Sequence, residues 1–175
     1  MTFKRVGFDI DPKLFERAGV NIHDPKLKEL KEQRDKQMHN KFNRDLEQKQ
    51  SSTVWSKSLW ASGEIKFTLN EWKPEERSNP VKAKNLGNKA FKLAKEMVNG
   101  HLNVIMSGDA GVGKTSLALA MVNMLREAGK TALFVSTIAL SELVSEQYEY
   151  SDRKIRLKEL TRAMKTCDVL LLDDL

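Results

Sequence analysis

The sequence contains one cysteine, Cys167, and only four prolines among 175 residues. A single cysteine excludes an internal disulfide and any zinc site built from several thiolates. No uninterrupted apolar run approaches the ~20 residues that a membrane-spanning helix requires, and the first residues lack the apolar core of a signal peptide. We therefore expect a cytoplasmic protein that does not cross a membrane.

Acidic residues are outnumbered, since 24 Asp and Glu oppose 30 Lys and Arg and leave a formal net charge of +6. This excess favours a polyanionic partner such as nucleic acid, although bound nucleotide phosphates also require positive charge. A basic surface that only keeps the protein soluble is the simpler alternative. The length allows one sizeable core with a small appendage.

Residues 108–115 read GDAGVGKT, which matches the Gly-x-x-x-x-Gly-Lys-Thr pattern of a phosphate-binding loop. An apolar segment, 103–107, precedes the loop and predicts a strand, and 116–125 has apolar residues at helical spacing. Glycines allow the backbone to turn sharply and to direct N–H groups at an anion. The predicted nucleotide-binding residues are Gly108, Asp109, Ala110, Gly111, Val112, Gly113, Lys114, Thr115 and Ser116.

A second motif lies about 60 residues further on, where the apolar run 169–172 leads into Asp173 and Asp174. This pattern is typical of a Walker B strand, which delivers carboxylates beside the phosphate loop. We expect Asp173 and the Thr115 hydroxyl to bind Mg²⁺. We expect Lys114 and Asp174 to be catalytic, Lys114 on the β- and γ-phosphates and Asp174 on the attacking water.

The order of elements predicts an α/β domain with a parallel sheet, because strands at 103–107, 131–136 and 169–172 alternate with helices. A further helix is predicted before the first of these strands, with Asn79 as its N-cap, Pro80 in its first turn and Gly100 as a left-handed stop.

Residues 25–50 form a charged stretch without glycine, and apolar residues recur in it at spacings near three and four. This predicts a long helix with a narrow apolar stripe, which is either a solvated surface or a docking face for a partner. The serine-rich stretch 51–65 follows as the best candidate for a linker. Its tryptophans, Trp55 and Trp60, either anchor the stretch to protein or stack on bases of single-stranded nucleic acid.

Residues 66–175 resemble the DnaC-type replicative helicase loaders and the related IstB-type transposition ATPases, a branch of the AAA+ class. The resemblance rests on FTLNEWKPEERSNPVKAKN before a basic helix, then GDAGVGKTSLALA, LFVS and VLLLDDL. It implies a P-loop NTPase fold of AAA+ type that binds ATP and Mg²⁺, and a full-length protein that forms oligomers. It also implies that 66–175 is the ATPase domain and that 1–50 is a helical region that binds the replicative DNA helicase.

The family resemblance further implies that helical structure between the strands at 131–136 and 169–172 touches single-stranded DNA. A predicted helix there is dense in basic residues, and a merely solvated basic face is the alternative. The predicted DNA-binding residues are Lys154, Arg156, Lys158 and Arg162.

The sequence ends directly after the second acid, so the family's polar sensor, arginine finger and later strands have no counterpart in it. On this basis we expect an ATPase domain that is incomplete at its C-terminus, with weak ATP binding, little hydrolysis and a tendency to self-associate. Three functions stay open at this point: a helicase loader, an IstB-like transposition helper ATPase, and a nucleotide-binding module that does not hydrolyse ATP.

Overall fold

The computed structural model describes residues 25–174. Contacts divide the chain into two units, residues 1–43 and 44–175. The expectations for residues 1–24 lie outside the described residues. The helices and strands are α1 Pro25–Trp55, α2 Pro80–Asn99, α3 Lys114–Glu127, β1 Ala132–Ser136, α4 Thr137–Glu146, α5 Ser151–Thr166 and β2 Val169–Asp173, with single-turn 3₁₀ helices at Leu69–Glu71 and Pro74–Glu76.

The sheet consists of β1 and β2, which pair in parallel from Ala132↔Val169 to Ser136↔Asp173. All five residues of β1 are buried, as expected for a parallel strand that is covered on both faces. The predicted parallel α/β arrangement is therefore confirmed. None of the helices in the described part of the chain is long and apolar enough to cross a bilayer.

The far edge of β1 is occupied by Leu59, which lies in the stretch predicted as a linker. The Leu59 N–H donates to the Phe134 carbonyl at 2.8 Å, and the Ser136 N–H donates to the Leu59 carbonyl at 2.9 Å. Together these two bonds form an isolated parallel bridge between Leu59 and Val135. Leu59 therefore satisfies backbone groups that β1 would otherwise leave unpaired.

The stretch 51–65 is not the free tether that its serines predict. Trp55 is buried, and its ring meets Trp60 edge to face with the centroids 5.6 Å apart. Trp60 in turn stacks on Phe134 at 3.9 Å. The two tryptophans bring enough apolar surface to hold this polar stretch on the sheet. Of the two alternatives for these tryptophans, the structure shows anchoring to the domain.

The predicted strand 103–107 is absent, although the segment keeps the alternation of a strand. Val104 and Met106 pack against the cluster around Trp72, whereas Ile105 is 92% exposed. A strand also needs a hydrogen-bonded neighbour, and no described strand lies beside this segment. The uninterrupted apolar run 104–106 did not show which side would be buried, and it carried no information on pairing.

The start of α2 agrees with the prediction and its end does not. Asn79 accepts a hydrogen bond from the Lys82 N–H at 2.9 Å, and Pro80 occupies the first turn. Gly100 has φ −130°, so the chain leaves α2 in an extended conformation and the predicted left-handed stop is wrong. Gly129, after α3, does adopt a left-handed conformation with φ 87°.

Trp72 connects α2 with the glycine loop. Its side chain is buried, and its Nε1–H donates to the Ala83 carbonyl at 3.0 Å. A Cβ atom added at Gly87 would stand 2.9 Å from the indole, and one added at Gly113 would stand 3.0 Å from it. Both glycines therefore give the ring the space that it occupies.

We expect Gly87→Ala to lower the free energy of unfolding by about 1 kcal/mol. Alanine gains about 1 kcal/mol of helix propensity, but crowding a buried ring whose position is held by a hydrogen bond costs about 1–3 kcal/mol. Urea unfolding followed by fluorescence measures the difference. Lys89→Ala, at an exposed position of α2, is the control and should leave stability nearly unchanged, because lysine and alanine differ little in helix propensity. A Gly87→Ala protein as stable as the parent would contradict the tight packing.

Candidate nucleotide site

The glycine loop leads directly into α3, and its backbone has the conformations that its glycines predict. Gly111 and Gly113 have φ 77° and 94°, in the left-handed region that side chains with a Cβ disfavour. Gly113 occupies the N-cap of α3 without any side-chain cap. The first N–H groups of this helix thus have no capping side chain, and an anion can bind them.

Lys114 folds over the same loop. Its Nζ donates to the carbonyl of Gly108 at 2.9 Å and to that of Asp109 at 2.8 Å. These carbonyls are neutral acceptors, so the ammonium keeps its net positive charge at the loop. The arrangement suits a lysine that exchanges carbonyl contacts for phosphate oxygens when a nucleotide binds.

Thr115 and Asp173 meet although 58 positions separate them in the sequence. The Thr115 hydroxyl donates to Asp173 Oδ1 at 2.9 Å. Residues 25–174 contain no group of three His, Cys, Asp or Glu side chains that could hold a metal ion. The pair itself offers Mg²⁺ one hydroxyl and one carboxylate. This donor set fits Mg²⁺, which favours oxygen ligands and commonly completes its shell with water and substrate phosphates.

Asp174 adopts φ 63°, the only left-handed non-glycine residue among those described. Aspartate tolerates this region better than most residues. The Thr137 hydroxyl donates to the backbone carbonyl of Asp174, and the Ser136 hydroxyl lies 3.5 Å from Asp174 Oδ2. The Asp174 residue itself is exposed. A reactive water can therefore reach its carboxylate, and its catalytic role stays a prediction.

Ser136 and Thr137 were missed by sequence reasoning. Ser136 is 1% exposed, lies opposite Asp173 in the sheet, and caps α4 by accepting from the Ala139 N–H at 3.4 Å. The available signal was a pair of hydroxyl residues at the carboxyl end of a buried strand. Ligands of parallel sheets bind at that end.

The predicted DNA-binding residues do not all lie together. A basic groove on α5 includes Lys154, Lys158 and Arg162 but leaves out Arg156. Because successive residues of a helix are about 100° apart, Arg156 points about 200° away from Lys154. Lys165, which is not among the predicted residues, also lines the groove. The groove is lined by Gln147, Lys154, Leu157, Lys158, Thr161, Arg162, Lys165 and Thr166.

Comparison with protein families finds one family model that matches most of the nucleotide site and the basic groove. Residues 82–175 match the family model described as IstB-like ATP binding protein. The matched range includes the glycine loop, both strands and the basic groove. A search of curated proteins found no match, and neither did a search of solved structures. The family match and the parallel sheet together identify a P-loop NTPase fold.

We expect Asp173→Asn to remove most of the gain in ATP affinity that Mg²⁺ produces. Loss of the carboxylate charge leaves the ion with a hydroxyl and an amide oxygen, which are weaker ligands. Titration of a fluorescent ATP analogue with and without Mg²⁺ should show this gain reduced by about tenfold or more, because even the outer-shell partners of a bound metal typically cost about 10- to 100-fold in affinity when mutated. Asp152→Asn, on the exposed surface of α5, is the control and should retain the full Mg²⁺ effect. If Asp173→Asn also retained it, Asp173 would not be a ligand.

Proposed function

Because the chain belongs to the family of IstB-like ATP-binding proteins, we propose that it is an ATP-controlled adaptor that delivers a replicative helicase to single-stranded DNA. The family match covers more than half of the chain. It supports ATP binding, while helicase loading and DNA binding are our proposals from the surfaces described here.

The hydrogen bond between Thr115 and Asp173 is the observation that carries the nucleotide part of the proposal. It joins the hydroxyl that follows the loop lysine to the carboxylate at the end of β2, the two side chains that an ATP-bound Mg²⁺ requires. In the proposed site Lys114 neutralises phosphate charge and Thr115 and Asp173 hold the ion. Asp174 orients and polarises a water molecule for attack on the terminal phosphate.

The basic groove supports the DNA part of the proposal. None of its four cations (Lys154, Lys158, Arg162 and Lys165) takes part in an ion pair among the described residues. Tyr148, in the turn between α4 and α5, is 87% exposed and follows Gln147 of the groove. Cations that track phosphates and aromatic rings that stack on bases are the two components of single-strand binding. Trp55 is buried within the domain and does not supply such a ring.

Helix α1 supports the adaptor part of the proposal. Leu30, Met38 and Phe42 are each more than 60% exposed in a helix that is otherwise rich in charge. The five residues of the predicted stripe are all exposed: Leu27, Leu30, Met38, Phe42 and Leu46. An apolar stripe on a charged helix is a common surface for binding a partner protein. We propose that this stripe binds the replicative helicase.

A second candidate is a helper ATPase in transposition, and the description of the matched family favours it. This function requires the same nucleotide site and also engages DNA. It differs in the partner protein, which would be a transposase instead of a helicase. The identity of the partner therefore decides between the two candidates.

We expect Arg162→Glu to weaken single-stranded DNA binding and Arg156→Glu to leave it nearly unchanged. The two substitutions are chemically identical and lie on one helix, but only Arg162 lines the groove. Loss of one phosphate contact reduces the salt slope of log affinity by about 0.7 for single strands. Fluorescence anisotropy of a labelled oligonucleotide over a range of salt concentrations measures both quantities. Equal effects of the two substitutions would exclude the groove as the binding surface.

We expect Phe42→Glu in the full chain to abolish capture of the replicative helicase, because it places a charge within the apolar stripe. Asn40→Glu introduces the same residue about 200° away on the helix and should leave capture intact. Pull-down assays against the helicase and a transposase from the same cell provide the measurement. Capture of the transposase alone would establish the second candidate, and capture of neither would contradict both.

A further inference from the structure

Arg77 lies beside the glycine loop although it is outside every motif of the sequence. It follows the 3₁₀ helix Pro74–Glu76 and precedes the N-cap of α2. Its guanidinium carbon stands 4.6 Å from the centroid of a Trp72 ring. One guanidinium nitrogen, Nη2, lies 3.5 Å from the point at which a Cβ on Gly113 would stand. The positive charge of Arg77 therefore lies beside Gly113, the residue directly before Lys114.

The charge of Arg77 has no carboxylate partner within residues 25–174. This distinguishes it from Lys73 in the same segment, whose ammonium lies 2.8 Å from a carboxylate oxygen of Glu76. Two cations are thus presented at the loop without a neutralising acid, Arg77 and Lys114. Only Lys114 belongs to the phosphate-loop motif.

Trp72 gives Arg77 a fixed support. The indole is buried, bonded to the Ala83 carbonyl and enclosed by the backbone at Gly87 and Gly113. A guanidinium stacks well on such a ring, because it is planar and weakly hydrated. Stacking leaves its edge free, and the N–H groups along that edge match the spacing of phosphate oxygens.

We infer that Arg77 donates hydrogen bonds to the phosphate groups of the nucleotide and is a binding residue of this site. The inference rests on the proposed ATP binding and adds a residue from the lead-in segment to the loop and β2. It gives Trp72 a second role, since the ring that fills the space at Gly113 also holds the cation beside the loop. On this inference, the contribution of Arg77 to nucleotide binding depends on the phosphates and not on the base or the sugar.

Isothermal titration of the full chain with ATP and with inorganic tripolyphosphate tests the inference. We expect Arg77→Gln to weaken both ligands about tenfold, the order typical for loss of one charge-assisted hydrogen-bonded contact. Arg77→Lys should recover part of the loss, because it restores the charge without the planar fork. Lys73→Gln removes a cation from the same segment and should change neither affinity.

Unchanged affinities in Arg77→Gln would overturn the inference, and so would weaker ATP binding with unchanged tripolyphosphate binding. Thermal unfolding without ligand shows whether the substitution disturbs the fold. If it does, Arg77→Met decides, because its apolar stem still covers Trp72 and only the donors are lost. A parent chain that binds no ATP would refute the proposed function, whereas a parent that binds ATP as tightly as Arg77→Gln would refute only the role of Arg77.

Discussion

The parallel register of β1 and β2 is the constraint on which the candidate site depends. It sets Asp173 opposite Ser136 at the carboxyl ends of the strands, where Asp173 reaches Thr115. A slip by one residue would turn this carboxylate to the other face of the sheet. Asp168 secures the opposite end by accepting hydrogen bonds from the Thr131 hydroxyl and N–H. The bond from the hydroxyl is the main reason that the pKa of Asp168 lies below its ordinary value.

The parts of the fold that were predictable are those that neighbouring residues determine. The loop glycines need left-handed conformations whatever surrounds them, and Asn79 caps α2 by a hydrogen bond to the N–H of a residue only three positions later. The meeting of Thr115 with Asp173 was predicted from the two motifs, because a loop hydroxyl and a strand-end carboxylate are the side chains that hold Mg²⁺ in such sites. The pairing of 103–107 was not, since a strand exists only beside a partner and none is described there.

Tryptophan positions show a second limit of sequence reasoning. Size and shape predict that each tryptophan finds a buried surface, but not which one. The guanidinium carbon of Arg126 stands 4.2 Å from the centroid of a Trp55 ring. The Nε1–H of Trp55 donates to Glu64. Burial lowers the pKa of Arg126. The serines of 51–65 predicted a flexible linker, but in the folded domain the aromatic contacts hold this stretch in place.

The net charge of +6 does not by itself identify a binding surface, because the cations differ in where they lie and in what they contact. Lys73 and Arg153 contact acids of their own chain, at 2.8 Å and 3.2 Å, and these pairs cancel much of their field. The cations at the loop and in the basic groove have no such acid among the described residues. These two places are also where the proposed ligands carry phosphate. Cations without an acid partner also occur elsewhere among the described residues, for example Lys84 and Lys92 of α2. The loop and the groove are therefore distinguished by their geometry together with their positive charge, and not by unpaired charge alone.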